Sequence, residues 1–262
     1  MSVNTYLTSL ASSLVLSEAE KTGIATSIAT LSGRLNNYFE DSVTVHFMFG
    51  SYPRVTILPR NADVKSDVDY MVVFNTANEA QKKPQTYLDR LKRFAETKYS
   101  TSEIHQSSPT IVLSLNHIMF ELVPAIYDNG FHIPSPLSSW SEWIHTKPAD
   151  ANKLLKEKNV ASGYQIKPLV RLAKYWNAKN GYPFTSFSIE QYIANKCFYS
   201  CTALKDYFYE FWSDFECPYS SPQNTKDKVS RAKKYASNAK DYDALGYTAT
   251  AEDEIKKIVP TL

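Results

Sequence analysis

The sequence predicts an α+β protein in which a mixed sheet flanked by helices is followed by a helical lobe. Two patterns carry this prediction. Strand-length runs rich in β-branched and aromatic residues, with one helical pattern among them, fill residues 43–126, whereas apolar residues at three- and four-residue spacing dominate from residue 164 onward. Between them lies a proline- and serine-rich connector from His132 to Asp150, which sets a boundary near residue 150 and two domains, 1–150 and 151–262.

In chain order, Leu7, Leu10 and Leu14, then Ile24, Ile28, Leu31 and Leu35, mark two opening helices, and Ser17 with Glu20 reads as a capping box for the second. VTVHFMF (43–49) is the first strand and ends at Gly50, and VDYMVVF (68–74) is the next. Pro84 opens a helix that runs to Tyr99. TIVLSL (110–115) and IMFELVPAI (118–126) are strands joined by a tight turn at Asn116 and His117. The second half holds helical patterns at 164–181 and 188–215 and charged helices after 224, with no repeat or low-complexity block.

Composition narrows the function classes. With 262 residues and 43% hydrophobic content the chain can bury an ordinary core. Lys plus Arg number 29 against 27 Asp plus Glu, a net charge of +2, so no long nucleic acid is expected as a partner and any phosphate chemistry must be local. The first 21 residues lack a basic region followed by an apolar core, and no run of about 18 apolar residues occurs, so a soluble cytoplasmic protein with no membrane partner is expected. Cys197, Cys201 and Cys217 form no C-x-x-C pair, so buried thiols are expected, and five scattered histidines suggest no metal site.

The chemistry-bearing residues are acidic. On a strand, residues i and i+2 share a face, so Asp67 and Asp69 project side by side at the mouth of the second strand. Such a pair suits Mg²⁺, which takes a few carboxylates together with substrate phosphates. Alone, Ser66-Asp67 reads better as turn chemistry before a strand. A third carboxylate shifts the balance: alternation in IMFELVPAI puts Glu121 with Met119 and Val123, opposite Ile118, Phe120 and Leu122, and a glutamate inside an apolar strand misfits a core. Glu121 on the solvated face of an edge strand is the other reading. If the strands are neighbours, three carboxylates can hold two metal ions for displacement at phosphorus. Gly50-Ser51, where a strand gives way to a helix, lets the backbone approach phosphate oxygens closely.

FGSYPRVTILP, SDVDYMVVF, FELVPA and KPLVRLAKYWNAKNGYPFTSFSIEQYI together, in this order, resemble the DNA polymerase β-like nucleotidyltransferases, and most closely the bacterial cGAS/DncV-like nucleotidyltransferases (CD-NTases). The resemblance covers residues from about 43 to 195. It implies a polymerase β-like palm carrying the carboxylates, a helical lobe, and an active site in the cleft of a bilobal molecule. It also implies that Gly50 and Ser51 hold the donor triphosphate, that Asp67, Asp69 and Glu121 bind two Mg²⁺ ions (with Mn²⁺ able to substitute), and that Asp69 or Glu121 accepts a proton. Lys174 falls at a triphosphate-binding lysine, Thr185 and Ser186 at hydroxyl contacts, and Phe187 at a base-stacking aromatic. Arg171 accompanies them on a stripe, Lys167, Arg171 and Lys174, that from the residues alone reads as a solvated helix face.

Three departures from the family pattern stand out: Val55 where glycine is common, Glu121 in place of the commoner aspartate, and no Cys/His insertion like the zinc thumb of animal cGAS. The resemblance implies a monomeric enzyme that condenses ribonucleoside triphosphates, ATP among them, into a cyclic oligonucleotide second messenger of antiphage signalling, read by a separate effector protein. A nucleotidyltransferase acting on RNA or on a protein, and an inactive nucleotide-sensing scaffold, are the alternatives. The presence of all three carboxylates disfavours the last.

Overall fold

The computed structural model describes residues 2–77, 82–138 and 141–262. Residues 139 and 140 of the predicted connector lie outside the described residues. The chain forms two compact units: an α/β unit of Ser17–Arg60 and Lys65–Asn152, and a helical unit of Met1–Leu16, Asn61–Val64 and Lys153–Leu262.

In the α/β unit, α2 (Glu18–Phe39) starts at the predicted capping box: the Ser17 hydroxyl accepts from Glu20 N–H, and the Glu20 carboxylate accepts from Ser17 N–H. The sheet runs β1-β2-β5-β4-β3, made from β1 (Val43–Met48), β2 (Asp67–Phe74), β3 (Glu103–Ser107), β4 (Thr110–Ser114) and β5 (Met119–Tyr127). β2 and β5 are parallel, and the other pairs in this path are antiparallel. β6 (Phe131–Pro134) and β7 (Trp143–Thr146) extend from β5, so part of the predicted connector is strand.

Alternation along β2 sets the two faces. Val68, Tyr70, Val72 and Phe74 are buried on one of them, where Phe74 meets Phe39 of α2 edge-on and the tilted ring of Tyr87 of α4 (Pro84–Lys98). Met71 and Val73 lie on the other, packed with Ala125 and with Phe47, Phe49, Phe131 and Ile133. That second face is apolar only at one end of the strands, and Asp67, Asp69 and Glu121 occupy the other end.

The helical unit holds α1 (Val3–Ser13), most of α5 (Pro148–Ala161), α6 (Ile166–Lys179), α7 (Ser186–Asn195), α8 (Leu204–Asp214), α9 (Gln223–Ala244) and α10 (Thr248–Lys256). α1 belongs here, not with the α/β half in which the sequence reading placed it. It packs on α6, α8 and α10, with Tyr6 OH donating to Val259 O at 2.7 Å and Arg171 Nε donating to Ala11 O at 3.2 Å.

The predicted run 188–215 is two helices. The chain leaves helical geometry at Lys196, whose ammonium instead reaches back to Asp214 at 2.5 Å and Glu210 at 3.2 Å. The expected buried thiols are another correction. Cys197 is exposed and Cys201 and Cys217 are half-buried, because all three sit in the segments flanking α8 rather than on its inner face.

Candidate functional site

The parallel register of β2 and β5 pairs Asp67 with Met119 and Asp69 with Glu121. Because the side chains of neighbouring parallel strands point the same way at paired positions, all three carboxylates emerge on one face. One oxygen from each lies within 4.8 Å of the others, with each residue half-buried. Glu121 is pushed above the ordinary carboxylate range, first by burial and then by the charge of Asp69, while hydrogen bonding with Asp67 and Thr110 pulls it partly back. An all-oxygen set of clustered, mutually repelling carboxylates fits a hard divalent cation.

Thr110 escaped the sequence reading. It opens β4, whose Val112 pairs with Glu121, so Thr110 falls on the carboxylate face only once that register is known.

β1 delivers the second component. Phe49 N–H donates to Asp69 O at 3.1 Å, which stitches the end of β1 to the acidic end of β2. Gly50 then turns with φ +72° and ψ −148°, and a Cβ built on it would stand 1.6 Å from Asp69 Oδ2. Glycine is thus required twice, by the backbone conformation and by the carboxylate lying against its Cα. A single helical turn, α3 (Ser51–Arg54), follows.

The turn is held from both sides. Thr56 N–H donates to Ser51 O at 3.1 Å, and buried Arg54 donates through Nη1 to Asn152 Oδ1 at 3.3 Å. Val55 closes it in the left-handed region at φ +60°, ψ +38°, where a β-branched residue is strained. Glycine would sit there without strain.

In the helical unit the predicted residues take up distinct places. The stripe of Lys167, Arg171 and Lys174 is not a solvated face: α1, α7 and α8 all pack on α6, leaving Arg171 8% and Lys174 5% exposed. Lys174 Nζ lies 3.3 Å from Glu190 Oε1 of α7, a carboxylate itself 2% exposed. Arg171 turns to α1, and burial lowers its pKa to about 10, still fully charged at neutral pH.

Thr185 is the N-cap of α7, its hydroxyl accepting from Ser188 N–H at 3.1 Å; Ser186 is the first residue of that helix and Phe187 is half-exposed. Asn177, buried and unforeseen, braces this turn by donating to Phe184 O at 2.9 Å and accepting from Phe184 N–H at 3.1 Å. The signal for it was an asparagine four residues after Ala173 and seven after Val170, in line with the apolar stripe of α6.

CdnC of E. coli MS115-1, solved with ATP, superposes with a TM-score of 0.72 at 16% identity, covering 99% of this chain and 97% of that one. CdnG of Bradyrhizobium diazoefficiens, solved with GTP, gives 0.71 at 10% identity over 98% of each. E. coli DncV in a 3'-deoxy GTP bound form gives 0.59 at 11% identity, covering 94% and 78%. At these identities the likeness establishes the fold: a polymerase β-like mixed sheet with flanking helices and a helical unit.

A cyclic AMP-AMP-AMP synthase of an Acinetobacter species is 29% identical over 156 residues, which are 56% of this chain and 43% of that protein; the match thus spans less than half of the relative's length. The description "Second Messenger Oligonucleotide or Dinucleotide Synthetase domain" matches residues 1–159. With that domain matched over more than half of its 262 residues, the chain belongs to the Second Messenger Oligonucleotide or Dinucleotide Synthetase family, the bacterial cGAS/DncV-like nucleotidyltransferases.

Proposed function

We propose that this protein condenses ribonucleoside triphosphates, ATP among them, into a cyclic oligonucleotide, releasing pyrophosphate. The observation that carries the proposal is the convergence of Asp67, Asp69 and Glu121 on adjacent parallel strands, with the Gly50-Ser51 turn lying against Asp69. ATP is favoured because the CdnC structure was solved with it and the Acinetobacter relative is named for an all-adenosine product.

Asp67, Asp69 and Glu121 would hold Mg²⁺, with Mn²⁺ as a substitute. Bound there, the metal lowers the pKa of a ribose hydroxyl and offsets charge on the departing pyrophosphate. The protein's own groups do the rest. The hydroxyl of one nucleotide attacks the α-phosphorus of another, the bond to pyrophosphate breaks, and the hydroxyl proton passes to Asp69 or Glu121. The Ser51 hydroxyl and the N–H groups after Gly50 receive the triphosphate of the donor, a role we extend to Lys174 and Arg171, with Thr185 and Ser186 contacting nucleotide hydroxyls and Phe187 stacking on a base. Ring closure repeats the same attack on the linear product.

The antiphage role and the separate effector that reads the product follow from this reading. Incubating the protein with Mg²⁺ or Mn²⁺ and every combination of the four ribonucleotides, then weighing the products, tests it. A cyclic product of two or more nucleotides is expected. Activity confined to added RNA or to an acceptor protein would overturn it.

A further inference from the structure

A cavity of about 380 Å³ lies wholly within the helical unit, walled by α1, the turn at 163–165, the first half of α6 and the N-terminal end of α8. Its volume is that of a small-molecule site. Neither α7 nor Lys174 lines it, and of the residues matched to the family's nucleotide site only Arg171 does.

The lining has a marked charge character. Among the described residues that form it, Arg171 carries the sole charge and no aspartate or glutamate is present. Arg171 Nε is anchored on Ala11 O, which fixes the plane of the guanidinium against α1. Its charge sits where water is largely excluded, and a buried cation attracts an anion far more strongly than one in solvent does.

Donors accompany it. Asn4 accepts from Lys205 N–H through Oδ1 at 3.2 Å, so the amide NH₂ is the end left to donate, and Thr8 adds a hydroxyl. Asp206, hydrogen-bonded to two residues of the lining, is engaged by the N–H groups of Thr202 and Ala203 at 3.1 and 2.8 Å. Lys167 feels the same field: burial lowers its pKa first, and the neighbouring charges of Arg171 and Lys156 lower it further. Ala11, Pro168 and Leu204 supply apolar wall.

We propose that this cavity binds a small molecule bearing one carboxylate or phosphate, its anionic head against Arg171, Asn4 and Thr8 and its apolar body against Ala11, Pro168 and Leu204. The site lies within the helical unit alone, and Arg171 is the one residue it shares with the proposed triphosphate contacts.

Calorimetric titration of the full chain, free of metal and nucleotide, with inorganic phosphate in one arm and benzoate in the other tests the proposal. Saturable binding in at least one arm is expected, and the arm that saturates identifies the head group. Thr8→Glu, on an exposed position of α1, sets a carboxylate beside Arg171 and should weaken that binding by at least about ten-fold. Ser12→Trp, also exposed, fills the cavity by bulk instead of charge and should weaken it too, so the result does not depend on one variant folding. No saturable binding in either arm at millimolar concentration, or binding that survives both substitutions, overturns the proposal.

Discussion

Replacing Gly50 by alanine separates a turn that merely connects β1 to α3 from one built around the acidic site. The added Cβ would lie 1.6 Å from Asp69 Oδ2, 2.5 Å from its Cγ and 2.9 Å from its Cβ, where ordinary contact begins at 3.4 Å. Asp69 sits on β2, stitched to Phe49 on one side and paired with Glu121 on the other, so the carboxylate must swing rather than the strand retreat. A displacement of about 1 Å in a reacting group costs on the order of 10²-fold in rate. Separately, φ +72° with ψ −148° is a conformation that an L side chain occupies at a cost of roughly 1–3 kcal/mol.

The expected variant is therefore folded, melts lower by about 2 to 10 °C, and turns over nucleotide at least about a hundred-fold more slowly. Product formation measured by mass, beside a melting curve, reads both effects. Activity within about two-fold of the parent, against that hundred-fold expectation, would refute the reasoning that Gly50 makes room for Asp69. Gly33→Ala is the control: Gly33 lies in an exposed stretch of α2 with nothing within 4 Å of a methyl added there, and alanine should stabilise by roughly 0.5–1 kcal/mol without touching activity.

Other outcomes follow from the same geometry. Glu121→Gln removes a buried charge held against Asp69, so the metal-free variant should melt higher than the parent while making no product; added Mg²⁺ should raise the melting temperature of the parent and not of Asp67→Asn with Asp69→Asn. Val55→Asn keeps the left-handed turn with a residue that tolerates it, and denaturant titration should show a gain of roughly 1 kcal/mol. Lys174→Met takes from buried Glu190 the ammonium 3.3 Å away and should cost roughly 3 kcal/mol of stability, recovered in large part by a second change, Glu190→Gln, that leaves turnover impaired. Thr185→Ala removes an N-cap worth about 1 kcal/mol, and a rise in KM beyond what that loss explains would place its hydroxyl on the nucleotide.

The acidic site was legible because its signals are local. An i, i+2 pair on a strand and one glutamate out of place in an apolar run each report a face, and a face is what alternation encodes. What the residues leave out is pairing. Nothing in SDVDYM or FELVPA says that β2 and β5 are parallel neighbours, and Thr110 entered the site only through that register.

β3 went unread because Glu103, His105 and Gln106 are exposed on an edge strand with no apolar face to mark it. The buried basic pair on α6 was unreadable for a different reason. A helix covered by three others has no solvated side, and its charged residues look the same in sequence whether they meet water or, as Lys174 does, a glutamate from the next helix.

The β2–β5 pair also bears on how the sheet finds its alignment. One face of these strands is an apolar patch at one end and a cluster of negative charge at the other, and sliding either strand by a single residue would exchange its faces. Asp67 and Asp69 would then be driven under α2 and α4, and Val68 and Tyr70 out of the core they fill. The groups that fit a metal ion thus also penalise any pairing slipped by an odd number of residues, before any ion or nucleotide arrives. Neutralising them for the sake of stability would give a firmer fold with a weaker instruction about which fold to form.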